Sequence, residues 1–153
     1  MKILNNILLL SYLLFITGCG YSPLISKTKT SLYFNEIKLE GNLQINSQIS
    51  KHIKKYKTNE ENQNSYNLKI FSKYEKIVTN KDNNGNPKNY NLITYVNIVA
   101  IDNIGREIKK SFQRKSSLSS KRNKTTENEL ERKYKSDLSR LITEDIIFFL
   151  SNR

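Results

Sequence analysis

Tyr90-Asn91-Leu92-Ile93-Thr94-Tyr95-Val96-Asn97-Ile98-Val99-Ala100-Ile101-Asp102-Asn103-Ile104-Gly105 is the stretch on which the fold turns. Leu92, Val96, Ile98 and Ala100 fall on one alternating set of Tyr90–Ile101, and Ile93, Tyr95, Val99 and Ile101 on the other. Period two sends these sets to opposite faces of a strand. A strand that is apolar on both faces is central and covered on both sides. Asp102-Asn103-Ile104-Gly105 is a tight hairpin signal. The chain therefore returns through Arg106–Leu118, with Ile108, Phe112 and Leu118 on one side and polar residues on the other.

Working outward, Thr79–Asn89 contains Asp82-Asn83-Asn84-Gly85-Asn86-Pro87, a dense turn signal. Before it, Tyr66, Leu68 and Ile70 alternate with Asn67 and Lys69 in a strand that runs to Val78. Thr58–Ser65 reads as a polar loop. Ile45, Ile49, Ile53 and Tyr56 recur at helical spacing and predict a helix over Ser47–Lys57, with Lys51, Lys54, Lys55 and Lys57 outward and His52 on the solvated side. Ser31–Leu39 reads as a first strand, ended by Glu40-Gly41-Asn42.

Downstream, Thr126-Glu127-Asn128-Glu129 has capping-box spacing. Leu130, Tyr134, Leu138, Leu141, Ile142, Ile146, Phe149 and Leu150 then hold a helical stripe, so Glu127–Leu150 is a long helix packed on the core. Glu127, Glu129, Glu131 and Asp137 are expected on its solvated side.

The order is β-α-β-β-β-α. The expected fold is α+β: a two-layer sandwich of a small, mainly antiparallel sheet with two helices on one face. With so few helices, the second cover of Tyr90–Ile101 falls to a partner protein.

Composition excludes several functions. The chain has 153 residues, one Cys, one His, no Trp and five Gly. One cysteine allows neither an intramolecular disulfide framework nor a multi-cysteine zinc site, and one histidine allows no two-His metal motif. No His-Ser-Asp set or glycine fingerprint is present. The sequence points to no enzyme, no cofactor and no metal.

The net charge is +12. Two readings of the excess stand together: the Lys, Asn and Ile usage of an AT-rich genome, and a surface that attracts anions.

The first residues set the compartment. After Met1-Lys2, the uninterrupted apolar run Ile7–Ile16 is too short for a bilayer span of roughly 20 residues. It suits a secretory signal. Ile16-Thr17-Gly18-Cys19 then resembles a bacterial lipobox, with small residues before the cut and a thiol to take the diacylglyceryl thioether. Residues 1–18 are read as signal peptide, Cys19 as the attachment point for acyl chains such as palmitate, 19–31 as lipidated N-terminus and tether, and 32–153 as a single domain. Gly20 stands where inner-membrane retention signals have Asp, which implies delivery to the outer membrane, on its periplasmic side. An extracytoplasmic chain has no genomic nucleic acid to bind. Two or three acyl chains give stable anchoring.

Topology predicts a cationic tip. Successive hairpins bring the loop after Val78 and the segment after Leu118 to the same end of the sheet, roughly 10 Å apart if the strands are neighbours in order. Lys81 and Lys88 lie on one, and Lys121, Arg122 and Lys124 on the other. Such a tip suits a phosphorylated, multi-anionic ligand. The plainer reading is lysines that keep loops soluble.

The Cys19-Gly20-Tyr21-Ser22-Pro23-Leu24 start, the Ile101-Asp102-Asn103-Ile104-Gly105-Arg106 turn, Ser116-Ser117-Leu118-Ser119-Ser120 and the long final helix together resemble the LPS-assembly lipoprotein LptE family in its alphaproteobacterial form. The likeness departs at Ser22, where a basic residue is common, and in the lysine-rich Ser47–Lys57 helix.

The resemblance implies a non-enzymatic outer-membrane lipoprotein. Such a protein plugs and helps assemble the LptD barrel and binds lipopolysaccharide during its transport to the cell surface. It further implies that Lys81, Lys88, Lys121, Arg122 and Lys124 are the segments' candidates for LPS phosphates. The rival expectation is another outer-membrane lipoprotein, an envelope scaffold or secretion-system component.

Overall fold

The structure, a computed structural model, describes residues 32–54 and 65–153. The expected signal peptide 1–18, Cys19, the tether 19–31, and the stretch 55–64 with the expected helix end at Lys57 and most of the polar loop lie outside the described residues. The elements are β1 Tyr33–Gly41, α1 Leu43–Ile53, β2 Ser65–Lys81, β3 Pro87–Asp102, β4 Glu107–Ser119 and α2 Lys124–Ser151.

The sheet order is β1-β2-β3-β4. A helix between β1 and β2 requires a crossover, and the two strands are parallel. The two hairpins make β2/β3 and β3/β4 antiparallel. The result is the expected α+β sandwich, with β3 internal and both helices on one face.

Both hairpins close by the same chemistry. Asp82 Oδ1 accepts from the amides of Asn84 and Asn86 at 2.9 and 2.8 Å. Asp102 Oδ1 accepts from the amides of Ile104 and Arg106 at 3.1 and 2.8 Å. In each turn the glycine three residues after the Asp donates to that Asp's carbonyl, at 3.0 Å for Gly85 and 3.1 Å for Gly105. These are Asx turns, in which a short side chain replaces a ladder partner.

The first turn is shorter than the expected Thr79–Asn89 loop. Pairing continues to Lys81↔Pro87, so Lys81 and Lys88 are strand residues at the hairpin's end.

Both helices begin earlier than expected, for one reason. Asn42 caps α1, its Oδ1 accepting from the amides of Gln44 and Ile45, both at 3.1 Å. Asn123 caps α2, accepting from the Thr125 amide at 2.8 Å. Asparagine at an N-cap satisfies amides that have no helical partner. α1 therefore starts at Leu43 rather than Ser47, and α2 at Lys124 rather than at a Thr126 box.

The core lies between the helices and one sheet face. Phe34, Leu68, Ile70 and Ile98 from the sheet meet Ile45, Ile49 and Ile53 of α1 and Ile142, Ile146 and Leu150 of α2. A second cluster joins Tyr90, Leu92 and Leu118 to Leu138, with Leu130 and Tyr134 against it. The α1 and α2 stripes sit where their spacing put them. His52 is half-buried rather than solvated.

The second face of β3 lies opposite both helices. Among the described residues no layer covers it. Ile93 lies between Glu75 and Lys115, Tyr95 between Lys73 and Gln113, and Val99 between Lys69 and Lys109, while Phe71 and Ile77 of β2 stand exposed on the same face opposite Asn97 and Asn91. Ile93 is 8% exposed although nothing is stacked on it. Aliphatic stems of flanking charged residues shield such a side chain while their heads stay wet.

Candidate functional site

The tip is built by strand pairing. Asn89 pairs with Ser119, and the Ser120 amide donates to the Lys88 carbonyl at 2.9 Å. The β4–α2 connection thus runs directly beside the start of β3. Lys88 lies one strand from Ser120, about 5 Å away, and Lys81 lies on the next strand out. The structure brings all five candidate residues to one end of the sheet, and all five are exposed.

Their electrostatic states differ. Lys124 pairs with Glu127 at 3.3 Å. Among the described residues, Lys81, Lys88, Lys121 and Arg122 make no salt bridge, although the Lys88 charge acts on Asp82. The hairpin's own acid, Asp82, is turned back onto its loop. Hydrogen bonds from Asn86, backbone first and then side chain, hold its pKa below the usual range. Four cations therefore project at one end without a compensating ion pair. That arrangement can take an anion with several charges.

Glu127 is the residue that the sequence reading misplaced. It is 2% exposed rather than solvated, because it continues the inward Leu130–Tyr134–Leu138 face of α2 one turn earlier, under the β4–α2 connection. Its carboxylate accepts from the Lys121 amide at 3.0 Å and the Ser120 hydroxyl at 3.0 Å. It also pairs with Lys76 at 3.1 Å. Burial pushes its pKa up, but these donors outweigh burial and hold it at about 2.

One turn on, Glu131 is only partly exposed. It takes Lys76 at 2.9 Å, Lys135 at 2.9 Å and the Tyr74 hydroxyl at 3.0 Å. Burial opposes its ionisation and Lys76 and Lys135 override it, so its pKa also falls. Burial, then the Glu131 charge, pushes the Tyr74 phenol up. Lys76 further lies 4.2 Å over the Tyr90 ring and Lys135 4.2 Å over the Tyr74 ring, so each cation also meets an aromatic face.

A signal for this network was present. Strict alternation from Tyr66 puts Tyr74 and Lys76 on the helix-facing side of β2, where a lysine demands a carboxylate. Glu127, Glu131 and Lys135 follow at helical i,i+4 spacing.

Among the described residues no group of three His, Cys, Asp or Glu side chains is placed to hold a metal. No described helix is long and apolar enough to cross a membrane.

A four-stranded mixed sheet with two helices on one face, entered by a parallel βαβ unit, is an arrangement shared with solved structures of bacterial lipoproteins. Rare lipoprotein B from Shewanella oneidensis superposes with a TM-score of 0.55 at 11% identity, over 77% of this chain and 98% of that one. A minor lipoprotein from Acinetobacter baumannii gives 0.55 at 16% identity, over 79% and 93%. A lipoprotein from Caulobacter crescentus gives 0.52 at 11% identity, over 81% and 90%. At these identities the likeness establishes the fold. No protein-family model matches the chain, and no curated protein matches it in sequence.

Proposed function

We propose that the chain is a non-enzymatic lipoprotein of the outer membrane, held on its periplasmic side through acylated Cys19. In this reading it plugs and helps assemble the LptD barrel and binds lipopolysaccharide during transport. The observation that carries the ligand part is the set of four exposed cations outside any salt bridge, Lys81, Lys88, Lys121 and Arg122, gathered at one end of the sheet by strand pairing. The lipobox residues Ile16–Cys19 support the anchor, and the fold shared with named lipoproteins agrees with it. The resemblance of the mature start supports the barrel partner.

Affinity purification of the tagged chain from membranes tests this reading. The expected result is a large β-barrel and LPS in the eluate, with mass spectrometry giving a mature N-terminus at acylated Cys19. An acylated chain without a barrel supports the scaffold or secretion-system alternative. Replacing Lys81, Lys88, Lys121 and Arg122 with Ser weakens LPS binding and flattens its salt dependence together. Lys124→Ser has a smaller effect, because Glu127 already holds that charge. Unchanged LPS binding in the fourfold variant removes the tip from the account.

A further inference from the structure

The tip contains an apparent contradiction. A buried carboxylate, Glu127, lies beneath a surface whose charge would attract anions. By Coulomb's law alone it opposes anion binding, by about twofold at 10 Å in water. Its contacts explain its presence differently. One oxygen accepts from the Lys121 amide and the Ser120 hydroxyl, both at 3.0 Å, and the carboxylate also engages Lys76 and Lys124. The Ser120 amide in turn donates to the Lys88 carbonyl. The connection carrying Lys121 and Arg122 is thus tied on one side to β3 and on the other to α2. Lys76, itself held by Glu131, anchors the carboxylate from below.

We infer that Glu127 is a positioning residue of the tip: it holds the Ser120–Lys121 backbone so that Lys121 and Arg122 stand beside Lys88 as one array for the phosphates of a multi-anionic ligand. This rests on reading the tip as the LPS-binding end. It deepens that reading by assigning a role to a residue that no anion touches. A carboxylate serves here because a hydroxyl, an amide N–H and two ammonium groups converge on it. A neutral acceptor satisfies fewer of these donors.

The test uses a charge-matched pair in the mature, lipidated chain held in detergent, titrated with deep-rough LPS. Glu127→Gln and Glu127→Met remove the same charge. Glutamine keeps an acceptor oxygen for the Lys121 amide, and methionine keeps none. The expected result is that Glu127→Met binds about five- to thirtyfold more weakly than Glu127→Gln, the range that corresponds to losing one or two hydrogen bonds. Amide hydrogen exchange at Lys121 rises in the Met variant, while exchange at Val96 and Ile98 is unchanged.

Ser120→Ala alters no charge and leaves the core untouched. It is expected to weaken binding by about twofold, and it keeps the question decidable if the Met variant does not fold. Equal affinity in the Gln and Met variants, or unaltered affinity in Ser120→Ala, overturns the inference. If the wild-type chain itself does not bind LPS, the reading of the tip fails instead, so the two failures are distinct.

Discussion

Replacing Gly41 with Ala probes the junction that sends β1 into α1. Gly41 has φ +98°, and a Cβ there lands on the Ser72 carbonyl oxygen, with the Ser72 carbonyl carbon and amide nitrogen at 3.0 Å. Ser72 cannot yield cheaply. It is laddered to Val96, its carbonyl accepts from the Asn42 amide at 3.0 Å, and its hydroxyl donates to Asn46 at 2.6 Å. The left-handed conformation costs an L-residue about 1–2 kcal/mol. Displacing Asn42 loses one or two hydrogen bonds worth about 1 kcal/mol each. The sum, about 2–4 kcal/mol, is a large share of the roughly 5–15 kcal/mol that holds a domain folded.

Gly85→Ala is the control. Its φ is +82°, yet nothing lies within 4 Å of the added Cβ, so only the conformational cost remains. Urea unfolding followed by circular dichroism measures both, with unchanged slopes showing that the transition stays comparable. If Gly41→Ala loses no more stability than Gly85→Ala, the clash with Ser72 is not what demands glycine.

Three further outcomes follow from the packing and charge. Glu127 has a pKa depressed to about 2 in the fold, so its contribution is present above the unfolded carboxylate value near 4.5 and fades as pH falls toward 2. The stability gap between wild type and Glu127→Gln, about 3 kcal/mol in order of magnitude, is expected to shrink over that window in urea titrations. A gap that does not change with pH contradicts the ion-pair account. Ile142→Ala empties a fully buried site between α2 and the sheet and is expected to cost about 2–5 kcal/mol by denaturation. Arg114→Ala removes a pair with Asp145 that is largely wet, and it is expected to cost under about 1 kcal/mol in the same assay.

Much of the fold was legible because it is written in local chemistry. The two Asp-x-x-Gly turns announce themselves, since only short acceptors and glycine suit those backbones. Ile45–Ile49–Ile53 and Leu138–Ile142–Ile146 repeat at helical spacing, and each buries the face its period selected. The helix starts were missed for a specific reason. Asn42 reads as part of the turn that ends the first strand, Asn123 precedes the helical stripe without belonging to it, and an asparagine that caps looks the same in sequence as one that turns. Glu127 is buried because it shares the inward face of Leu130, Tyr134 and Leu138, and its donors lie on β2 and the β4–α2 connection, far from it in the chain.

The sequence alone determined the element order, the turns, the buried stripes and the gathering of Lys81, Lys88, Lys121, Arg122 and Lys124 at one end. Each of these depends on periodicity or on the reversal of direction at a hairpin, and both are properties of neighbouring residues. The tertiary structure alone decided which charges are already spent. Lys124 is held by Glu127 and Lys76 is shared by two glutamates, while Lys88 and Arg122 have no ion-pair partner among the described residues. The exposed state of β3's second face was likewise a tertiary outcome. Pairing and shielding are set by distances between residues far apart in the chain, and those distances exist only once the sheet and helices have packed.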